Sequence, residues 1–351
     1  MQIFGELVDS QIIVKKQKDS GRLYSRSHFG TLNSKGQVKL DLLEGVFLLG
    51  ENKIKIFEKK TELDFQTLVN FAAQKIPEFE IKYLIFKDLR NRGLAIKHCD
   101  EKKQTTFYLF KQKKDERERQ CFISAFSERD ILDLKETKNL IQDITKKNGE
   151  LWFAIVDEEG DLTYYRVSLQ DMKGHASEHD YPKGHGILLK NRIVLFDNKL
   201  AKSMFQKEFF GKPFGDGLQL SLVEGLYLLE KKVIDISSTQ SKKLSHKECE
   251  KIIHKLQPDI KLRLLIFSDL KKSGLIVKTG FKFGVHFRAY TKQPDKTHAE
   301  YLVHVVDKDF KSIWAEMSRA VRLAHSVNKE IVFARIDGEN IDYIKFGRLR
   351  P

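Results

Sequence analysis

Apolar and polar positions change period several times along this chain, and each change marks an element. In the second half Ile187, Leu189, Ile193 and Leu195 alternate with other positions as half-buried strands do, ahead of a glycine-rich turn at Lys212–Gly217. The apolar stretch EGLYLL follows. Cys249, Ile252, Ile253 and Leu256 then recur at the spacing of a helix with one buried face. LLIFSDLKKSG reads as a short helix ended by Gly274 in a left-handed conformation. The chain returns to strand character through FKFGVHFRAY and EYLVHVVD, turns helical in FKSIWAEMSRAVRLAHSV, and comes back to a strand in EIVFARID. A β-hairpin packed with one long helix and a further strand predicts an α+β layer.

The same succession occurs earlier in the chain. Gly5–Gly30 answers Gly186–Gly211 in length and bounding glycines, Asp41–Leu49 matches Ser221–Leu229, Tyr83–Lys97 matches Leu264–Lys278, and Leu151–Gly160 matches Ile331–Asn340. A register held at about 180 residues throughout is a tandem duplication. The expected organisation is a first unit over 1–169 (parts 1–77 and 78–169), a linker over 170–185, and a second unit over 186–351 (parts 186–259 and 260–351). The linker is polar and rich in His, Gly and Lys. Irregular histidine spacing makes it a solvated connection in preference to a metal cluster.

Composition narrows the class. With 41% hydrophobic residues and 25 Phe, the 351-residue chain is a packed globular protein. No run approaches 18 uninterrupted apolar residues, which excludes a membrane-spanning helix. The opening MQIFGELVDSQ has no basic segment followed by an apolar one, so a cytoplasmic protein is expected. Three cysteines without CxxC spacing read as reduced thiols, not a zinc site or disulfide frame. A formal charge of +14 favours a polyanionic partner, and nucleic acid first.

Candidate chemistry gathers in the second unit. Tyr290 and His298 flank TKQPDKT at the spacing of one strand's end and its neighbour's start, and Lys329 precedes a strand. The first unit has Phe110, Glu118 and Gly149 at these places, yet keeps Phe107, Phe153 and Asp157 opposite Phe287, Phe333 and Asp337. Loss of all three within retained flanks points to a scaffold copy and an active copy. A Tyr, a His and a Lys suit cleavage of RNA by its own 2′-hydroxyl, which needs a base, an acid at the leaving oxygen and a cation on the phosphate. His286 shares strand parity with Tyr290 and is the alternative acid, while His304 in its apolar strand reads as a core residue. PEFEIK (Pro77–Lys82) contains an ExK that a metal-dependent nuclease could use, but it lacks a properly spaced upstream Asp; no metal is expected.

These residues belong to a longer pattern: Gly280, Phe283, Gly284, His286, Phe287, Tyr290, His298, Tyr301–His304, Arg322–Val327 and Lys329. It resembles the motif of the archaeal tRNA-splicing endonucleases, strongly over Leu264–Pro351 and elsewhere through the repeat. The resemblance implies the duplicated homodimeric type, each unit a small α/β N-terminal subdomain plus a nuclease-like mixed-sheet C-terminal subdomain. It implies a homodimer that cuts pre-tRNA at both junctions of a bulge-helix-bulge, leaving 2′,3′-cyclic phosphate and 5′-hydroxyl ends without metal or cofactor. In that frame Tyr290 is the general base, or orients the 2′-hydroxyl, His298 is the general acid and Lys329 stabilises the phosphate. A phenol of ordinary pKa about 10 needs cations to act as a base, and Lys329, Arg288 and His286 are the candidates. Arg322 and Arg348, with Arg350 as the alternative to the latter, would sandwich a bulged base. Asp157, Glu158, Glu159 and Asp161 would dock into a basic pocket on the partner chain. The rival reading is a non-catalytic RNA-binding or structural subunit, against which the retained Tyr290, His298 and Lys329 argue.

Overall fold

The computed structural model describes residues 2–99, 105–109, 120–295 and 297–351. Each unit opens on a six-stranded mixed sheet and continues into one half of a shared ten-stranded sheet. The helices that position the site are α1 (Leu42–Gly50), α2 (Phe79–Asn91) and α3 (Leu134–Lys146) in the first unit, and α4 (Leu222–Glu230), α5 (Ile260–Lys272) and α6 (Trp314–Ser326) in the second. The repeated Glu-Gly signature explains how the two layers of a unit hold together. Asp41 and Glu44 form a capping box at the start of α1, and Ser221 and Glu224 do the same for α4. The glutamates also reach outward: Glu44 accepts from the Gly30 amide at 2.8 Å and Lys97 Nζ at 2.9 Å, and Glu224 accepts from the Gly211 amide at 2.8 Å with Lys278 Nζ 3.6 Å away. Both lysines lie in the next layer, so one residue type caps a helix and joins two layers.

The strands of the shared sheet are β1 (Ile96–His98), β2 (Phe107–Leu109), β3 (Gln120–Ser127), β4 (Gly149–Val156), β5 (Leu162–Leu169), β6 (Ile276–Thr279), β7 (Phe287–Tyr290), β8 (Tyr301–Val306), β9 (Glu330–Asp337) and β10 (Asn340–Leu349), in the order β6-β7-β8-β9-β10-β5-β4-β3-β2-β1. The halves meet where β5 runs antiparallel to β10, pairing Tyr164 with Leu349 and Leu169 with Ile344. Phe153 faces Tyr165 across one hairpin and Phe333 faces Ile344 across the other, so Tyr165 corresponds to Ile344 and Leu169 to Arg348, and the pairings Tyr165–Arg348 and Leu169–Ile344 exchange under a two-fold rotation. Ile131 with Ile313 and Asp133 with Lys311 repeat that symmetry in a short two-stranded sheet. The joint is an isologous interface within one chain.

Alternate residues of β4 and β9 face opposite sides of this sheet. On one side α3 and α6 cover a core drawn from both units, including Ile141, Phe153, Tyr165, Val321 and Phe346. Trp314, fully buried, meets Phe153 edge-on at 5.6 Å and stacks on Tyr165 at 6.0 Å. The first unit thus supplies part of the floor beneath the second. On the other side α2 and α5 pack with the N-terminal layers. There the repeat shows again: Tyr164 donates to Asp88 at 2.7 Å and Tyr343 to Asp269 at 2.6 Å.

The α+β class and the duplication stand as expected, and three local readings change. LLIFSDLKKSG is the end of a thirteen-residue helix that begins at Ile260. FKFGVHFRAY is not one strand: the amides of Phe283 and Val285 both turn back to the Gly280 carbonyl, at 2.8 and 3.4 Å, closing a loop ahead of β7. Turn hydrogen bonds of this kind have no hydrophobic period. The linker has no regular structure before Gly184 but is tied down, with Gly174 N donating to Ser273 O at 2.9 Å and Ala176 N to Gly274 O at 2.8 Å. Its Met172 is buried in the second unit's core. Among the described residues no helix is long and apolar enough to cross a membrane.

Candidate active site

Tyr290 ends β7, and His298 lies in the turn before β8. Lys329 directly precedes β9, which runs parallel to β8. The three positions therefore collect at one end of three neighbouring strands, over two inter-strand steps or about 10 Å of sheet. Glu300 fastens them. Its carboxylate accepts from the Thr291 hydroxyl at 2.6 Å and the Thr291 amide at 2.9 Å, and its carbonyl accepts from the Glu330 amide at 2.9 Å. One residue thus fixes the chain immediately after both Tyr290 and Lys329. Tyr290 itself is buried against Ile276, Ala299, Ala176 and Phe209. His298 is exposed and Lys329 half-buried.

Cations and an aromatic ring lie alongside. The Phe283 ring has Lys329 Nζ at 5.5 Å and the Arg288 guanidinium at 5.9 Å, and Arg288 also stands 5.9 Å from the Tyr290 ring. The loop that broke the expected strand therefore has a purpose here: it carries Phe283 over two cations. Of the three candidate activators of Tyr290, Arg288 is the one set against its ring. His286 is engaged elsewhere. It lies four residues back along the chain, accepts the Val305 amide on Nδ1 at 2.9 Å, and has Nε2 3.5 Å from Asp259. Burial, with His304 and Arg263 beside it, holds its pKa down to about 4. His304 meets it edge-on at 4.7 Å and is likewise held below the ordinary range by burial first and Arg263 second.

The two stacking candidates converge from different elements. Arg322 is exposed on α6, and Arg348 is exposed on β10 directly across from Tyr165. Burial pushes the Tyr165 phenol up, while Ser318, Arg322 and Arg348 around its hydroxyl pull the other way. One hydroxyl thus has both guanidinium groups in its field. Arg350 lies beyond the end of β10.

The acidic turn between β4 and β5 is exposed at Asp157, Glu158, Glu159 and Asp161. Asp157 holds its shape by accepting from the amides of Glu159 at 3.0 Å and Asp161 at 2.9 Å, and Glu158 pairs with Arg129. A cavity of about 400 Å³ with Arg192, Arg263, Lys278 and His286 in its walls opens between the two layers of the second unit. Three cationic side chains, Arg192, Arg263 and Lys278, against the single carboxylate of Glu224 give its walls a net charge opposite to that of the turn.

Phe110 and Glu118 lie outside the described residues. Gly149 is described, and it has no room for a side chain: an added Cβ would come within 2.7 Å of Ile144 and 2.9 Å of Phe122. The ExK of Pro77–Lys82 falls across the start of α2, where Lys82 Nζ donates to the Pro77 carbonyl at 2.7 Å. Sequence reasoning missed Glu300 and Phe283 as parts of the site. A turn glutamate carries no pattern, and Phe283 stands only as one position of the longer motif; the contacts of each exist only in the folded chain.

Comparison with known proteins agrees with this architecture. Family models described as the tRNA intron endonuclease N-terminal domain match residues 3–69 and 184–249, and those of the catalytic C-terminal domain match 79–164 and 260–343. A tRNA-splicing endonuclease of Methanococcoides burtonii is 34% identical over 98% of this chain and 99% of its own length, and one of Methanosarcina barkeri is 31% identical over the same shares. A tRNA-splicing endonuclease of Methanococcus vannielii is 35% identical over 46% of this chain but 93% of its own, so that relative matches about half of the present chain. With both of the family's domains present twice, in order, and a full-length relative above 30% identity, the chain belongs to the tRNA intron endonuclease family.

Proposed function

We propose that this protein is a tRNA-splicing endonuclease that cuts pre-tRNA at both exon–intron junctions of a bulge-helix-bulge. One observation carries the reading: the chain segments bearing Tyr290, His298 and Lys329 are tied together at Glu300, whereas the other unit has a close-packed Gly149 in place of the lysine. In the proposed reaction the 2′-hydroxyl loses its proton and its oxygen attacks the adjacent phosphorus. The phosphorus–5′-oxygen bond breaks, and the leaving oxygen takes a proton. Tyr290 receives or orients the first proton, His298 supplies the second, and the Lys329 ammonium meets the negative charge that grows on the phosphoryl oxygens. The products are a 2′,3′-cyclic phosphate and a 5′-hydroxyl. The nucleophile is internal to the substrate, so no metal is needed to generate it.

Arg322 and Arg348 stack on a bulged base in this reading, since guanidinium planes pair well with unstacked bases. The acidic turn of one chain enters the basic cavity of a second, giving a homodimer with two sites for two cuts. The test is incubation of the purified chain with a bulge-helix-bulge RNA in EDTA, followed by end-group analysis. Two cuts with cyclic phosphate ends are expected. Cleavage only on adding a divalent ion would overturn the mechanism, and cleavage only with another subunit would favour a scaffold.

A further inference from the structure

We infer that the segment joining the two units builds a phosphate-binding subsite for the RNA strand next to the cleavage centre. The inference rests on the reading of Tyr290 and His298 given above. A cavity of about 410 Å³ is walled on one side by His175 and His179 of the joining segment, and on the other by Lys207, Thr291, Lys292 and Thr297. That volume is within the usual range of small-ligand sites, about 300–1,000 Å³. Its position relative to the chemistry follows from the chain: Thr291 is the residue after Tyr290, and Thr297 the one before His298. Ile276, also in the wall, pairs with Tyr290 across β6 and β7.

The wall is built, not draped. His175 N donates to the Thr291 carbonyl at 3.2 Å, and Ala176 packs into the cluster that holds Tyr290. Just before them the joining segment passes backbone to backbone over the glycine that ends α5. Gly274 has φ +75°, and a Cβ on Gly174 would stand 2.1 Å from the Gly274 oxygen. Neither close approach tolerates a side chain. Charge defines the ligand. Lys207, Lys292, His175 and His179 are exposed, and none of the residues in the wall is a carboxylate. Two of the neighbouring acids are engaged: Glu208 with Lys271 Nζ at 2.7 Å and the His179 amide at 3.0 Å, Glu300 with Thr291. Polar hydroxyls and cations with no carboxylate in the lining suit a phosphodiester group, and a strand held at the cut has one on either side of it.

The experiment is a scan of uncharged methylphosphonate links through the nucleotides flanking the cut, in an RNA made uncleavable by a 2′-deoxy substitution. Wild type and Lys207→Ala/Lys292→Ala are compared by equilibrium binding. One flanking position should cost wild type about tenfold in affinity and cost the double variant nothing. The slope of log affinity against log salt should become shallower by about one. Gly174→Val, which forces the joining segment away, should lose the same position when assayed well below its own, lowered, thermal midpoint. Equal penalties at every position in both proteins, or an unchanged slope, overturn the subsite. Wild type is assayed in parallel on cleavable RNA: normal cutting with no positional difference removes the subsite alone, and failure to cut removes both readings.

Discussion

Glu300→Ala tests whether the site is held together from one residue. The substitution keeps the 2.9 Å backbone bond from Glu330 but removes the 2.6 and 2.9 Å bonds to Thr291. A hydrogen bond to a charged group contributes about 1.5–3 kcal/mol. Glu300 is half-exposed, so the low end applies and the pair restrains the chain after Tyr290 by about 3 kcal/mol. Releasing it lets the phenol drift, and a misplacement of about 1 Å costs about 100-fold in rate. Single-turnover cleavage should therefore slow by about 10- to 100-fold. Affinity for uncleavable RNA should hold or rise, because a negative charge has been removed near a phosphate. Thr291→Val should slow the reaction less, and Glu300→Ala/Thr291→Val no more than Glu300→Ala alone, since both act through one contact. A Glu300→Ala enzyme that cuts at the wild-type rate, that slows only by losing affinity, or whose effect adds fully to that of Thr291→Val refutes the clamp.

Other consequences can be checked separately. His298→Ala should cut at least about 100-fold more slowly with nearly unchanged RNA affinity, whereas Arg322→Ala should weaken binding of bulged RNA relative to fully paired RNA; equal binding losses in both would contradict the assigned roles. His286 has a folded pKa near 4 against an ordinary 6.5, so the unfolded chain binds the extra proton between those values and stability falls as pH drops from about 6.5 towards 4. The full loss is about 3 kcal/mol. Denaturant unfolding of wild type should weaken across that window, and a His286→Gln profile with the same slope would contradict it. Replacing Glu158, Glu159 and Asp161 by their amides, with Asp157 kept to hold the turn, should shift a dimer to monomer in sedimentation equilibrium; an unchanged mass would place the interface elsewhere.

The duplication and the layer type were legible in the chain, which also pointed to its second half for candidate chemistry. Those properties are written locally: a hydrophobic period, a Glu-Gly cap, and a motif such as R-L-A-H-S-V-x-K need only neighbours to be read. Parity could not tell that His286, nominally on the same face as Tyr290, is spent on the Val305 amide and Asp259. Tertiary structure alone decided the two-fold joint of β5 with β10, the tie from Glu300 to both neighbouring segments, and the closure of Phe283 over Lys329 and Arg288. It also turned a polar, histidine-rich connection into a wall next to Tyr290. Each of these is a pairing between residues far apart along the chain. Their free energy comes from packing and hydrogen bonds that exist only after the layers have met, so no period or spacing in the chain records them.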